Sequence, residues 1–266
     1  MLSALCSDAI GGHDVCRMLA YSTISVLVRL GPEANWAMFM CRHGFLQTMI
    51  QSLAKNDQQL SLTLKPVPST LKPLYVYESL MTLLCRMAMT RTQAEMLLRY
   101  QLLSYLTGMT ALDCHPYPLV PVPNAGTGEL LPSVTERYQQ ILLPALLACD
   151  AALCSLPNPS CIEAVIHFMS RHEEALSMVL RGGSPLLSTS YLQELRLVLS
   201  LLARVAAEPP AMLESACAMA KLRQLALSLL PRITVLLLTL SRRLAHSRSG
   251  VYKLVRPVFK PCAEET

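Results

Sequence analysis

Six histidines and ten cysteines are the side chains of this 266-residue sequence best suited to chemistry, so their spacing decides whether it reads as a catalyst or a metal protein. His167, His172 and Cys161 come nearest to a zinc set. The two histidines lie five apart, however, and do not share one face of a helix, whereas metal sites use tighter pairs. The expectation is one histidine beside the core and one on the surface. The cysteines are scattered, with Cys149 and Cys154 the closest pair and no C-x-x-C. That pattern suits buried free thiols in a reducing compartment. Gly126-Thr127-Gly128 opens like a dinucleotide loop but lacks the third glycine and a preceding strand. Glu173 and Glu174 stand where a helix would begin, a place its dipole favours acids. No P-loop, nucleophile elbow or H-E-x-x-H occurs. The sequence therefore assigns no catalytic, cofactor-binding or metal-ligating residue, and the expectation is a non-enzyme without a cofactor or small-molecule substrate.

With chemistry thin, the elements themselves carry the reading. Apolar residues make up 52% of the chain and charged residues 15%, against roughly a quarter charged in ordinary globular proteins. Leu, Ala and Met dominate, which favours helix, and runs of alternating Val, Ile and Thr are absent. Apolar spacing at i, i+3, i+4 and i+7 recurs between Pro and Gly punctuation. It predicts helices over 14–30 (with Val15, Met18, Leu19, Ile24, Leu27 and Val28 inward), 33–41, 45–53, 74–89, 93–98 and 102–109. Leu60–Lys72 reads as a connector, Ser133–Leu156 as a long helix bent at Pro144, Cys161–His172 as a further helix, and Met212–Ala245 as a last one broken at Pro231.

Placing Arg42 on Arg99, an offset of 57, superposes the first two units. Leu27 then falls on Leu84, Ala37 on Ala94, Met40 on Leu97 and Leu46 on Leu103, and each unit reads long helix, short helix, third helix. A looser copy centres on Arg181. Helical units that cannot bury their faces alone must stack. The expected fold is all-α, an irregular HEAT/armadillo-like α-solenoid: a first half over 1–112 with two three-helix repeats, a Pro/Gly-rich surface loop over 113–132, a second half over 133–245, and a loose basic tail over 246–266.

Membrane insertion fits poorly. Leu225–Leu240 is the most apolar stretch, but Pro231 and Arg232 interrupt it, and a central arginine costs about 2.5 kcal/mol or more. The uninterrupted run after it is far short of the ~20 residues a span needs. Nothing near Met1 resembles a signal peptide, and Pro159 after Asn158 blocks glycosylation there. The net charge of +5 is uneven: nine of the 23 basic residues fall between Lys221 and Lys260, with no Asp or Glu among them. Tyr252 and Phe259 stand among Lys253, Arg256 and Lys260, but stacking on nucleic acid needs an ordered platform. A solvated basic tail is the expectation, with no nucleic-acid partner.

Four blocks carry a resemblance: MLAYSTISVLVRL (18–30), FLQTMIQSLAKNDQQL (45–60), LKPLYVYESLMTLLCRMA (71–88) and LPSVTERYQQILLPALLACDAAL (131–153). They resemble the C-terminal part of the largest inner-ring scaffold (adaptor) nucleoporins of the nuclear pore complex, in the same order over His13–Ala207 and including the proline-rich break. RYQQILLPAL, with its intrahelical proline, is the most specific piece. The resemblance implies a structural scaffold at the nuclear envelope that supports nucleocytoplasmic transport. Its partners would be other nucleoporins, above all a short helix of a linker nucleoporin held in a groove between helices. A soluble HEAT-type adaptor or transport receptor that binds cargo is the other expectation.

Overall fold

The computed structural model describes residues 2–30, 36–116, 131–181, 187–207, 220–231, 234 and 255–256. Eleven α-helices carry the chain from Leu2 to Ala206: α1 (Leu2–Gly11), α2 (Asp14–Leu30), α3 (Trp36–Arg42), α4 (Phe45–Leu62), α5 (Lys72–Ala88), α6 (Arg91–Arg99), α7 (Leu102–Thr107), α8 (Val134–Ser155), α9 (Pro159–Arg171), α10 (Glu173–Arg181) and α11 (Thr189–Ala206). A 3-10 turn over Thr110–Asp113 follows α7, and residues 220–231 are helical. The long helices α2, α5, α8 and α11 stack side by side in chain order, and α4, α7 and α9 form a second layer against them. The fold is thus an all-α, solenoid-like stack with one continuous apolar core. Two residues of the basic tail are described: Val255–Arg256 (β2) pairs in parallel with Leu187–Ser188 (β1).

Local chemistry sets the helix ends. Gly44, at φ 72°, precedes α4, and Gln101, at φ 60°, precedes α7. Ser133 and Glu136 form a reciprocal capping box at the start of α8: the Glu136 amide donates to Ser133 Oγ at 3.2 Å, and the Ser133 amide donates to Glu136 Oε2 at 2.7 Å. Asn158 caps α9 by accepting from the Cys161 amide at 2.8 Å, with Pro159 in the first turn, where its missing N–H costs nothing. Gly12 makes the tight turn from α1 to α2, because a Cβ there would sit 2.5 Å from the Asp8 carbonyl oxygen.

Three points differ from the sequence reading. Helix α1 has no counterpart in it; Cys6 and Ala9 tie this short helix to the core. Helix α4 runs to Leu62 instead of Leu53, because Leu60 is buried one face-turn beyond a polar surface that hides the periodicity. On α2, Val15 and Leu19 are exposed, not inward: the buried residues Ala20, Tyr21, Ile24, Ser25 and Val28 gather on one flank, where Ser25 meets Arg86 of α5, and the other flank is open among the described residues. Of the expected Met212–Ala245 helix, residues 220–231 and 234 are described and helical; its other residues, residues 117–130 of the Pro/Gly-rich loop and most of the tail lie outside the described residues.

Candidate partner-binding cleft

The reactive side chains are dispersed; against the expectation of buried thiols, Cys16, Cys114 and Cys154 are exposed, whereas Cys6, Cys85, Cys149 and Cys161 are buried. His172 is fully buried and His167 exposed. His172 Nδ1 lies 2.8 Å from Asp113 Oδ1 and Nε2 3.3 Å from the Leu106 carbonyl, so the ring ties α9 to the 3-10 turn. Arg171 holds the other oxygen of Asp113 at 2.9 Å. Burial pushes the thiols of Cys6 and Cys161 up to about 11 and that of Cys85 up to about 12, which leaves them protonated and unreactive at neutral pH. Glu173 and Glu174 open α10, with Glu173 paired to Lys221. Among the described residues no group of three or more His, Cys, Asp or Glu could hold a metal.

The strongest polar features instead fasten the layers. Arg137, on α8, is almost wholly buried, and its described partners are backbone carbonyls. Its Nε donates to the Pro132 carbonyl at 3.0 Å, and its Nη groups donate to the carbonyls of Thr63, Lys65 (2.9 Å) and Pro66 (3.4 Å). Those three follow the C-terminus of α4, where unsatisfied carbonyls and the helix dipole favour a cation. Pro144 leaves the Gln140 carbonyl of α8 without its helical donor; beside it α5 adds two bonds of its own, Tyr77 donating to the Ile141 carbonyl at 2.9 Å and the Cys85 thiol to the Pro144 carbonyl at 3.3 Å. Burial pushes the Tyr77 phenol well above its usual range, so it stays a donor.

An opening lies between two of the short helices. The short helices α3 and α6 of the two units flank a cleft of about 380 Å³, within the range of ligand-sized pockets. Trp36, Ala37, Cys41 and Met96 give it an apolar lining, and exposed Met38 stands on its edge. The Cys41 thiol points at Met96 Sδ (3.5 Å), and the Tyr100 hydroxyl donates to the Cys41 carbonyl at 3.4 Å, so the two helices are pinned beneath the opening. Arg99 and Glu95 bring opposite charges to it, Glu95 already paired with Arg91. The Gln93 side-chain oxygen is buried there without a hydrogen-bond partner. None of these residues stood out in the sequence; the one available signal was the repeat register, which sets Phe39 on Met96 and Arg42 on Arg99.

Among the described residues, no helix is long and apolar enough to cross a membrane. Comparison with known proteins explains the architecture. Residues 1–206 match the family model of the nuclear pore complex scaffold, nucleoporins 186/192/205. The chain is 36% identical over 207 residues to nuclear pore complex protein Nup205 of Drosophila melanogaster. It is 31% identical over 211 residues to Nup205 of Homo sapiens. Each match covers 77% of this chain and 10% of the relative, so the chain spans about a tenth of the length of these proteins. Both the α5 and α8 segments that fasten the stack fall inside the matched region, and the chain belongs to the nuclear pore complex scaffold family of nucleoporins 186, 192 and 205.

Proposed function

We propose that this segment is a non-catalytic scaffold element of the nuclear pore complex that holds a short amphipathic helix of another nucleoporin in the α3–α6 cleft. The observation that carries this reading is the cleft itself: an apolar lining of Trp36, Ala37 and Met96 with a charged edge at Arg99 and Glu95. A helix presenting anchors at i, i+3, i+4 and i+7 suits such a groove. Methionines at Met38 and Met96 can adjust their shape to an incoming side chain. A linker nucleoporin is the partner that fits, because its helix would add an apolar strip to a stack already pinned from below. Family membership does not favour the cargo-carrying adaptor.

The test is in cells. Tagged chain concentrates at the nuclear rim, and Met38→Asp, a change at an exposed position, disperses it without lowering its abundance. Rim signal unaffected by the Met38 change removes the cleft from the reading, and diffuse wild-type signal removes the scaffold role.

A further inference from the structure

A smaller cavity of about 190 Å³ opens between the end of α1, the first half of α2 and the middle of α4. Tyr21 of α2 has no exposed surface, and its hydroxyl is buried there without a hydrogen-bond partner. The Arg17 guanidinium, one turn earlier on α2, and Ser52 of α4 stand beside that hydroxyl. Arg17 is itself mostly buried, its side chain 16% exposed. Its contacts are long: Nε donates to the Ala9 carbonyl at 3.4 Å, and Nη1 lies 3.8 Å from the Asp14 carboxylate. Lys55 and Asn56 of α4 extend the lining. Among the described residues, exposed Lys55 has no ion pair and the Asn56 side-chain amide has no partner.

These groups share a need. A buried donor without an acceptor is costly, and a charged one costlier still. Burial raises the Tyr21 phenol above its usual range against the pull of Arg17, so the hydroxyl keeps its proton. Two cations, a hydroxyl and an amide therefore face one space, and Asp14 is near the limit of ion-pair distance from Arg17. Water alone would meet the hydroxyl but leave both cations uncompensated. A phosphate monoester carries about −1.5 to −2 charge at pH 7 and three strong acceptor oxygens, which matches two cations and two further donors better than a carboxylate does. The planar fork of an arginine suits phosphate oxygens as well. Volume sets the size: the cavity falls below the roughly 300–1,000 Å³ of sites for drug-sized ligands. A single phosphate group fits it, and a nucleotide does not.

We propose that this cavity is a binding site for a single phosphate group, seated against the Arg17 guanidinium, accepting from the Tyr21 hydroxyl and the Asn56 amide, with Lys55 at the mouth. Free phosphate and a phosphorylated side chain present the same chemistry to it. This inference lies apart from the α3–α6 cleft and does not rest on it.

The test follows inorganic phosphate by phosphorus NMR in the presence of the whole chain, with ionic strength held constant by chloride. The wild-type chain binds one equivalent. Tyr21→Phe, which removes the hydroxyl alone, weakens binding about tenfold. Lys55→Met, at an exposed position outside the core, weakens it about threefold. Arg196→Met, at an exposed position on α11, leaves it unchanged. N-acetyl-phosphoserine amide is titrated in parallel. Tighter binding than that of inorganic phosphate marks a phosphorylated side chain as the source, and equal or weaker binding marks the free ion; either result keeps the site. Three results overturn the inference: no saturable binding of either probe, full affinity in folded Tyr21→Phe and Lys55→Met chains, or an equal loss in Arg196→Met, the sign of a general attraction to a basic protein.

Discussion

Gly44 and Gln101 lie 57 residues apart and are the two described residues whose backbone sits in the left-handed region, at φ 72° and 60°. Each is the residue before the third helix of its unit, so the repeat extends to a backbone conformation as well as to side chains. Glycine adopts this conformation freely, whereas a residue with a Cβ is strained by about 1–2 kcal/mol. Gln101→Gly is expected to stabilise the chain by about 1 kcal/mol and Gly44→Ala to destabilise it by a similar amount. A Cβ at Gly44 would meet nothing within 4 Å, so that cost is conformational alone. Urea midpoints at constant slope check both.

Arg137 satisfies several backbone carbonyls at once, and removing it strands them inside the protein. Arg137→Met is expected to cost about 3 kcal/mol or more, because buried acceptors lose their only charged donor. Arg137→Lys should recover little, since an ammonium cannot span acceptors on both α8 and the end of α4. Thermal melts of the two variants check this.

Tyr77 of α5 bonds a carbonyl of α8 close to Pro144. Tyr77→Phe keeps the ring and removes the donor to the Ile141 carbonyl, so it is expected to cost about 1–2 kcal/mol. In a chain that also carries Pro144→Ala, the cost should stay the same, because the regained N–H faces the Gln140 carbonyl and not that of Ile141. A double-mutant cycle reads the coupling.

Glu194 gives the stack a pH dependence. Burial between α11 and α8 raises its carboxyl from 4.5 to about 7; Gln139 is hydrogen-bonded to one oxygen, and the other has no partner. The folded chain therefore holds a proton that the unfolded chain releases near 4.5. Between those values the folded state binds more protons, so stability is highest below about pH 4.5 for this group and falls as pH rises through 7. Glu194→Gln is expected to add about 3 kcal/mol at pH 8 and to flatten that fall. Denaturation at several pH values measures it.

Much of this was legible in the residues. Periodicity located α2, α5 and α8 to within a residue or two, because each buries a wide apolar face bounded by Gly, Pro or a cap. The offset that superposes Arg42 on Arg99 also pairs the two left-handed residues. Less could be read where burial depends on neighbours. Leu19 and Leu83 have the same residue type, yet one is exposed and the other closed, since α5 has a described long helix on both sides and α2 on one. The cleft was equally hidden: Trp36 and Met96 look like core residues, and only the spacing of α3 from α6 leaves room between them.

Calorimetric titration of a linker-nucleoporin helix into the chain, at about 0.1 M and about 1 M salt, separates apolar docking from charge attraction, because screening at the higher value leaves the former nearly untouched. The cleft predicts binding of similar strength at both, lost on Met38→Asp. Binding that vanishes at high salt, or that ignores the Met38 change, contradicts it.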